Sequence, residues 1–120
     1  IEPAQLVVVV NTEDAQSRAL GDYYREARDL PRENLVEVRF KPGQAQMSEA
    51  EFQRVRAEVD VRAPATTQGY ALAWTLPYRV ECMSVTSAFA FGFDRALCAD
   101  GCKPTRPSPL YRAKTREPYT

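Results

Sequence analysis

The chain has 120 residues, 44% hydrophobic and 27% charged, which suffices for one packed core and is too few for two. Its 16 basic and 16 acidic side chains cancel, so no overall field draws it to nucleic acid or to an anionic membrane. It contains no histidine, which excludes Ser-His and Cys-His pairs and imidazole metal ligands within this chain.

The charges are unevenly distributed along the sequence. Residues 1–60 hold 8 basic and 12 acidic side chains, whereas residues 61–120 hold 8 basic and 4 acidic ones. Such a dipolar chain favours docking to a partner protein. No apolar run reaches the ~18–20 residues of a membrane span. The sequence begins at Ile1 rather than at Met, and a cleaved export signal is one explanation for that start.

The first half of the chain alternates strand and helix patterns. Residues 6–10 form a leucine and valine run, typical of a strand buried on both faces. Residues 14–30 repeat apolar side chains at helical spacing and stop before Pro31. The predicted buried stripe of this helix is Ala15, Ala19, Tyr23, Ala27 and Leu30.

Three further elements follow in the same alternation. Residues 35–40 alternate apolar and charged side chains, as a strand at or near a sheet edge does. Ser48 and Glu51 form a capping-box pattern that predicts a second helix, and residues 70–76 read as a third strand. The β-α-β-α-β order predicts an α/β fold with three layers, a short parallel sheet in strand order 2-1-3 and crossover helices.

The end of the chain differs in composition. Residues 84–97 fit both a strand and a helix, and their length favours a helix. We therefore divide the chain into an α/β domain, residues 1–97, and an extended, basic, Pro-rich tail, residues 98–120, that orders only against something else. Four of the nine prolines lie in the tail: Pro104, Pro107, Pro109 and Pro118.

A ligand site on this fold is expected beyond the carboxyl ends of the strands. The candidate ligand-binding residues there are Asn11, Glu13 and Asp14 after the first strand, and Arg79 after the third. The first turn has no glycine and carries two carboxylates, which excludes a dinucleotide or P-loop site. The carboxylates could hold Mg²⁺, but carboxylates are common at helix starts because of the helix dipole, and we prefer that structural interpretation. We assign no catalytic residue, no metal ligand and no cofactor.

The three cysteines suggest a structural role. Cys98 and Cys102 form a C-x3-C pattern around Gly101, which predicts a local disulfide in an oxidising compartment. Cys82 then remains a third thiol, predicted to pack as a small apolar side chain. A redox or haem-carrying role is the weaker alternative, because Lys103 stands where haem attachment needs histidine.

Several stretches resemble a little-characterised, usually exported bacterial family with a Rossmann-like α/β N-terminal region. The resemblance lies in residues 7–11, Ser17 and residues 22–35, and continues in residues 75–80, 84–97 and 108–111. It implies an α/β fold and a periplasmic or secreted location. Members are longer than this chain, so the resemblance covers only their N-terminal part, and it transfers no catalytic residue.

The function expected from these observations is non-catalytic. The open sheet edge and the basic tail predict association with another chain, or with a missing C-terminal part of the same protein. The alternative is an incomplete half of a hydrolase-like or small-ligand-binding domain, with its site at the carboxyl edge of the sheet.

Overall fold

A strand of buried valines lies at the centre of the fold. The structure is a computed structural model that describes residues 1–99 and 101–108. The described residues include three short 3-10 turns, Pro3–Gln5, Arg32–Asn34 and Arg95–Leu97. In chain order the helices and strands are β1 (Leu6–Asn11), α1 (Ala15–Ala27), β2 (Leu35–Val38), β3 (Gln46–Met47), α2 (Glu49–Arg62), β4 (Gly69–Leu72), β5 (Arg79–Val80), β6 (Met83–Ser84) and α3 (Val85–Phe91).

The main sheet has the predicted topology. Its order is β2-β1-β4, and both neighbours of β1 run parallel to it, which confirms the α/β fold and the 2-1-3 order. The second predicted strand is shorter than expected: β2 ends at Val38 because the side chain of Asn11, rather than a neighbouring strand, bonds the backbone of Phe40.

Helices cover both faces of this sheet, forming three layers. Val7 and Val9 pack on the face covered by α2 and α3, whereas Val8 and Val10 pack on the face covered by α1. The predicted apolar stripe of α2, which comprises Phe52, Val55 and Val59, is buried. Ser48 Oγ accepts a hydrogen bond from the Glu51 N–H at 3.2 Å, so this helix begins at its predicted cap.

The buried face of α1 differs from the prediction. The expected stripe of alanines with Tyr23 is exposed, and Ser17 and Gly21 are buried instead. Leu30, which lies beyond the end of the helix, is the one member of the predicted stripe that is buried. A Cβ on Gly21 would lie 2.0 Å from Val10 Cγ1, so only glycine lets the helix approach β1 this closely. Ser17 Oγ also accepts a hydrogen bond from the Asn11 N–H at 2.8 Å. Close approach and polar bonding, rather than apolar periodicity, determine which side of α1 faces the sheet.

A second, small sheet is formed by the chain segments that follow β2 and β4. Its order is β3-β5-β6, with β3 and β5 parallel and β5 and β6 antiparallel. The predicted helix over residues 84–97 is shorter, since α3 ends where Gly92 adopts a φ of 84°. The described residues beyond Leu97 contain no helix or strand, and residues 100 and 109–120 of the predicted tail lie outside the described residues.

The disulfide prediction is wrong in its pairing. Cys98 bonds to Cys82, with their Cα atoms 5.3 Å apart, and Cys102 is a free, exposed thiol. The chain turns back through Arg95–Leu97 after α3, which brings Cys98 to the turn between β5 and β6 where Cys82 lies. Cys82 is therefore not the unpaired thiol that its isolated position in the sequence predicted.

Candidate functional site

Asn11 lies at the carboxyl end of β1, where a ligand was expected. Its side chain is buried, and Nδ2 donates a hydrogen bond to the Phe40 carbonyl at 2.9 Å. Oδ1 accepts hydrogen bonds from the N–H groups of Phe40 and Glu13, at 3.2 and 3.1 Å. Because both ends of its amide are hydrogen-bonded, the Asn11 side chain links the loop after β1 to the loop after β2.

The two carboxylates that follow Asn11 also have protein partners. Glu13 Oε1 lies 2.9 Å from Arg39 Nη2, and both side chains are exposed, so the pair contributes less than ~1 kcal/mol. Asp14 caps α1, accepting a hydrogen bond from the Gln16 N–H at 2.9 Å. Among the described residues, no group of three or more potential metal ligands comes together.

The fourth candidate, Arg79, belongs to the second sheet. It pairs with Gln46 across β3 and β5, and its guanidinium lies 5.7 Å from the ring centroid of Tyr78. The shallow depression beside Glu13 is lined by Arg39, Lys41 and other residues, and Arg79 is not among them. The structure thus brings Asn11, Glu13 and Asp14 together and leaves Arg79 in a separate element.

The two outer edges of the main sheet differ from each other in their hydrogen-bond partners. Along β2, the Val38 carbonyl faces β1, where it accepts a hydrogen bond from Thr12 N–H at 2.9 Å. Strand alternation then points the carbonyls of Glu37 and Arg39 outward. Arg62 bonds the Glu37 carbonyl, and Arg54 bonds the Arg39 carbonyl at 2.6 Å. Arginine side chains therefore occupy the two outward carbonyls of this edge.

The edge at β4 has no such caps in the part of the chain that the structure describes. Ala73 N–H donates to the Val9 carbonyl at 2.9 Å, so alternation points the backbone groups of Tyr70 and Leu72 away from β1. No described residue forms a hydrogen bond with those outward groups. Residues 63–78, which contain the whole strand, include no Asp, Glu, Lys or Arg.

The side chain of Tyr70 points inward and does not cover this edge. Its ring lies 5.2 Å from the Arg56 guanidinium and 6.1 Å from the ring of Phe89. Burial raises the pKa of the Tyr70 phenol, more than the nearby Arg56 charge lowers it. Tyr70 is thus a packing residue on the α2 face, and only its backbone serves the edge.

The exposed surface of α1 is also uncharged on one side and charged on the other. Successive residues rotate by about 100° around a helix axis, so the two flanks of α1 can be assigned from its buried Ser17 and Gly21. One flank lies beside β4, because Leu20 lines a small depression with Ala73 and Trp74. The uncharged residues of that flank are Gln16, Leu20, Tyr23 and Ala27, and the charged residues of the opposite flank are Arg18, Asp22 and Arg25.

We call the outer edge of β4 together with the uncharged flank of α1 the open face. Tyr23 is 70% exposed and Leu20 49% exposed on it. Sequence reasoning predicted an open sheet edge without identifying which edge it was. The absence of charge across residues 63–78 is the sequence signal that distinguishes the two, because exposed edge strands usually carry charged side chains.

Comparisons with known proteins do not identify a family for the chain. No protein family, curated protein or solved structure matches it. The resemblance to an exported bacterial family therefore stays a prediction. No helix among the described residues is long and apolar enough to cross a membrane.

Proposed function

We propose that the chain is a non-catalytic association module that takes a β-strand of another polypeptide at its open face. The observation that carries this proposal is the contrast between the two sheet edges. Arginine side chains cap the outer carbonyls of β2, whereas the outward backbone groups of Tyr70 and Leu72 on β4 have no described partner. An uncapped, uncharged edge is a template for strand addition.

The flank of α1 beside β4 extends the same surface. An added strand would bring its side chains beneath Leu20 and Tyr23, which are large, apolar and exposed in the chain alone. Exposed apolar side chains that adjoin a free strand edge are typical of an interaction site. The candidate residues at the carboxyl end give no comparable support to the ligand-binding alternative, because Asn11 and Asp14 already bond to the backbone.

Photo-cross-linking in the source cell tests this proposal. A benzoylphenylalanine at position 20, on the open face, is expected to give a covalent adduct with another polypeptide upon irradiation. The matched control places the same residue at position 18, on the charged flank of α1, where no adduct is expected. Equal labelling at both positions, or no adduct at position 20, would contradict a partner at the open face.

We further propose that the module acts in an oxidising compartment, as an exported protein would. The Cys82–Cys98 disulfide supports this location, because disulfides persist mainly outside the reducing cytosol. Thiol counting on denatured native material tests it. Alkylation should label Cys102 alone, and prior reduction should expose all three cysteines; three reactive thiols without reduction would place the protein in a reducing compartment.

A further inference from the structure

We infer that the polypeptide added at the open face is a second copy of this chain, paired β4 to β4 about a two-fold axis. The two sheets would then form one continuous sheet of six strands. This inference rests on the proposed function and names its partner. Three features of the open face support it: its lack of charge, the spacing of its outward backbone groups and the size of its side chains.

Charge is the first feature. A two-fold axis brings each residue near the axis towards its own copy, so a charged side chain at the axis meets a like charge. At β2, an axis beside Glu37 would oppose two carboxylates, and an axis beside Val38 would set Glu37 opposite Arg39 of the second copy at carbonyls that Arg62 and Arg54 already bond. At β4, residues 63–78 carry no charge at all, so the same operation meets no repulsion.

The backbone of β4 fits antiparallel self-pairing. If the axis passes beside Ala71, Tyr70 lies opposite Leu72 of the partner copy, and Leu72 opposite its Tyr70. The outward groups of these residues can then exchange both N–H···O=C bonds, as hydrogen-bonded antiparallel pairs do. The two Ala71 residues form the intervening non-hydrogen-bonded pair, where the Cα atoms approach to about 4.5 Å. A small side chain suits that closest approach.

The spacing of the helices accounts for the large exposed side chains. Each α1 packs over its own β1, and the two β1 strands would be separated by three strand spacings, roughly 14 Å. Helices in direct contact lie about 8–10 Å apart, so a gap remains between the two α1 helices. Leu20 and Tyr23 project on the flank that faces this gap and are large enough to fill it.

Light scattering of the purified chain over a concentration series gives the first test. We expect a mass of twice 13.5 kDa at high concentration, falling to 13.5 kDa on dilution. Amide exchange gives residue resolution. The N–H groups of Tyr70 and Leu72 should become protected as the dimer forms, while that of Ala73, already bonded to β1, is protected at every concentration.

A charge-swap experiment tests whether the two copies meet at Ala71. Ala71→Lys sets two lysines against each other and should weaken self-association by on the order of 100-fold. Ala71→Glu should do the same, and an equal mixture of the two variants should restore a mixed dimer. Thermal unfolding of each variant alone checks that the fold is intact, and Arg18→Glu, on the charged flank of α1, is the control that should leave the dimer unchanged.

Three outcomes would overturn the inference. They are a monomer at every concentration with fast exchange at Tyr70 and Leu72, a dimer that survives Ala71→Lys, and a mixture of the two variants that stays monomeric. If the chain is monomeric but position 20 cross-links to a different protein, the proposed function stands and only the choice of partner fails. If position 20 gives no adduct with any protein, both fail.

Discussion

At the scale of single residues, Asn11 shows how a polar side chain can serve the fold at a place where a ligand was expected. Asn11→Ala should destabilise the chain by about 3 kcal/mol, because it leaves the buried N–H and C=O of Phe40 without their partner. Denaturant unfolding measures this loss. The control Thr12→Ala removes only a 3.3 Å hydroxyl contact with Val38 and should cost less than ~1 kcal/mol. Unchanged stability in Asn11→Ala would restore Asn11 as a ligand candidate.

Ionisation of Glu81 makes the stability of the fold depend on pH in the acidic range. A hydrogen bond from Arg95 at 2.7 Å lowers the pKa of its carboxyl group, and one from the N–H of Glu49, at the start of α2, lowers it further. Because the pKa is lower in the folded state than in the unfolded one, the ionised group stabilises the fold above the ordinary Glu pKa of about 4.3. This contribution is lost as the pH falls through the folded-state pKa.

Glu81→Gln should therefore lower the melting temperature near neutral pH. The difference from the unchanged chain should shrink as the pH falls below about 4 and should disappear below the lowered folded-state pKa of Glu81, where both chains carry a neutral side chain. Thermal unfolding across this pH range measures the effect. Glu26→Gln, at an exposed position of α1, is the control. A difference between Glu81→Gln and the unchanged chain that is constant with pH would mean that ionisation of Glu81 does not stabilise the fold.

At the scale of elements, α1 packs through its smallest residues. Gly21→Ala places a Cβ 2.0 Å from Val10 Cγ1, and Val10 is itself buried, so the helix must move away from β1. We expect a loss of about 2 kcal/mol, although alanine favours helices over glycine. Asp22→Ala, one position along on the exposed side, should change stability by no more than ~0.5 kcal/mol. Equal unfolding free energies for the two variants would refute this close packing.

How far the sequence determines these elements depends on the length of the pattern. The valine run and the stripe of α2 predicted β1 and α2 correctly, because both patterns persist over several residues. The two-residue strands β3, β5 and β6 are too short to show any periodicity. The α1 stripe was placed on the wrong side, because periodicity groups residues on one face without saying which face meets the sheet.

Long-range geometry explains the remaining differences. The bonds of Asn11 depend on Phe40, 29 residues away, and the disulfide joins cysteines 16 positions apart. A local C-x3-C spacing could not reveal that partner, since it depends on how the chain returns after α3. The candidate residues Asn11, Glu13 and Asp14 lie together because they share one turn, whereas Arg79 lies beyond the main sheet in an element that sequence patterns did not predict.

At the scale of the whole molecule, the two edges determine which assemblies the sheet can form. A chain with one uncapped edge closes into a dimer, because pairing consumes the edge on both copies. A chain with two uncapped edges can keep adding copies into an open oligomer. The arginines along β2 are therefore as important to a closed assembly as the bare strand at β4.

Uncapping β2 tests this account. Arg54→Ala and Arg62→Ala, combined with Glu37→Thr, should free the outer carbonyls of β2 and remove the Glu37 carboxylate from this edge, giving species larger than a dimer that grow with concentration in light scattering. Adding Ala71→Lys to this variant should stop growth at a pair joined through β2. The control, Arg18→Ala with Asp22→Ala, removes charge from α1 and should leave the size unchanged. If the uncapped variant keeps the size of the unchanged chain, the arginine caps are not what closes the β2 edge.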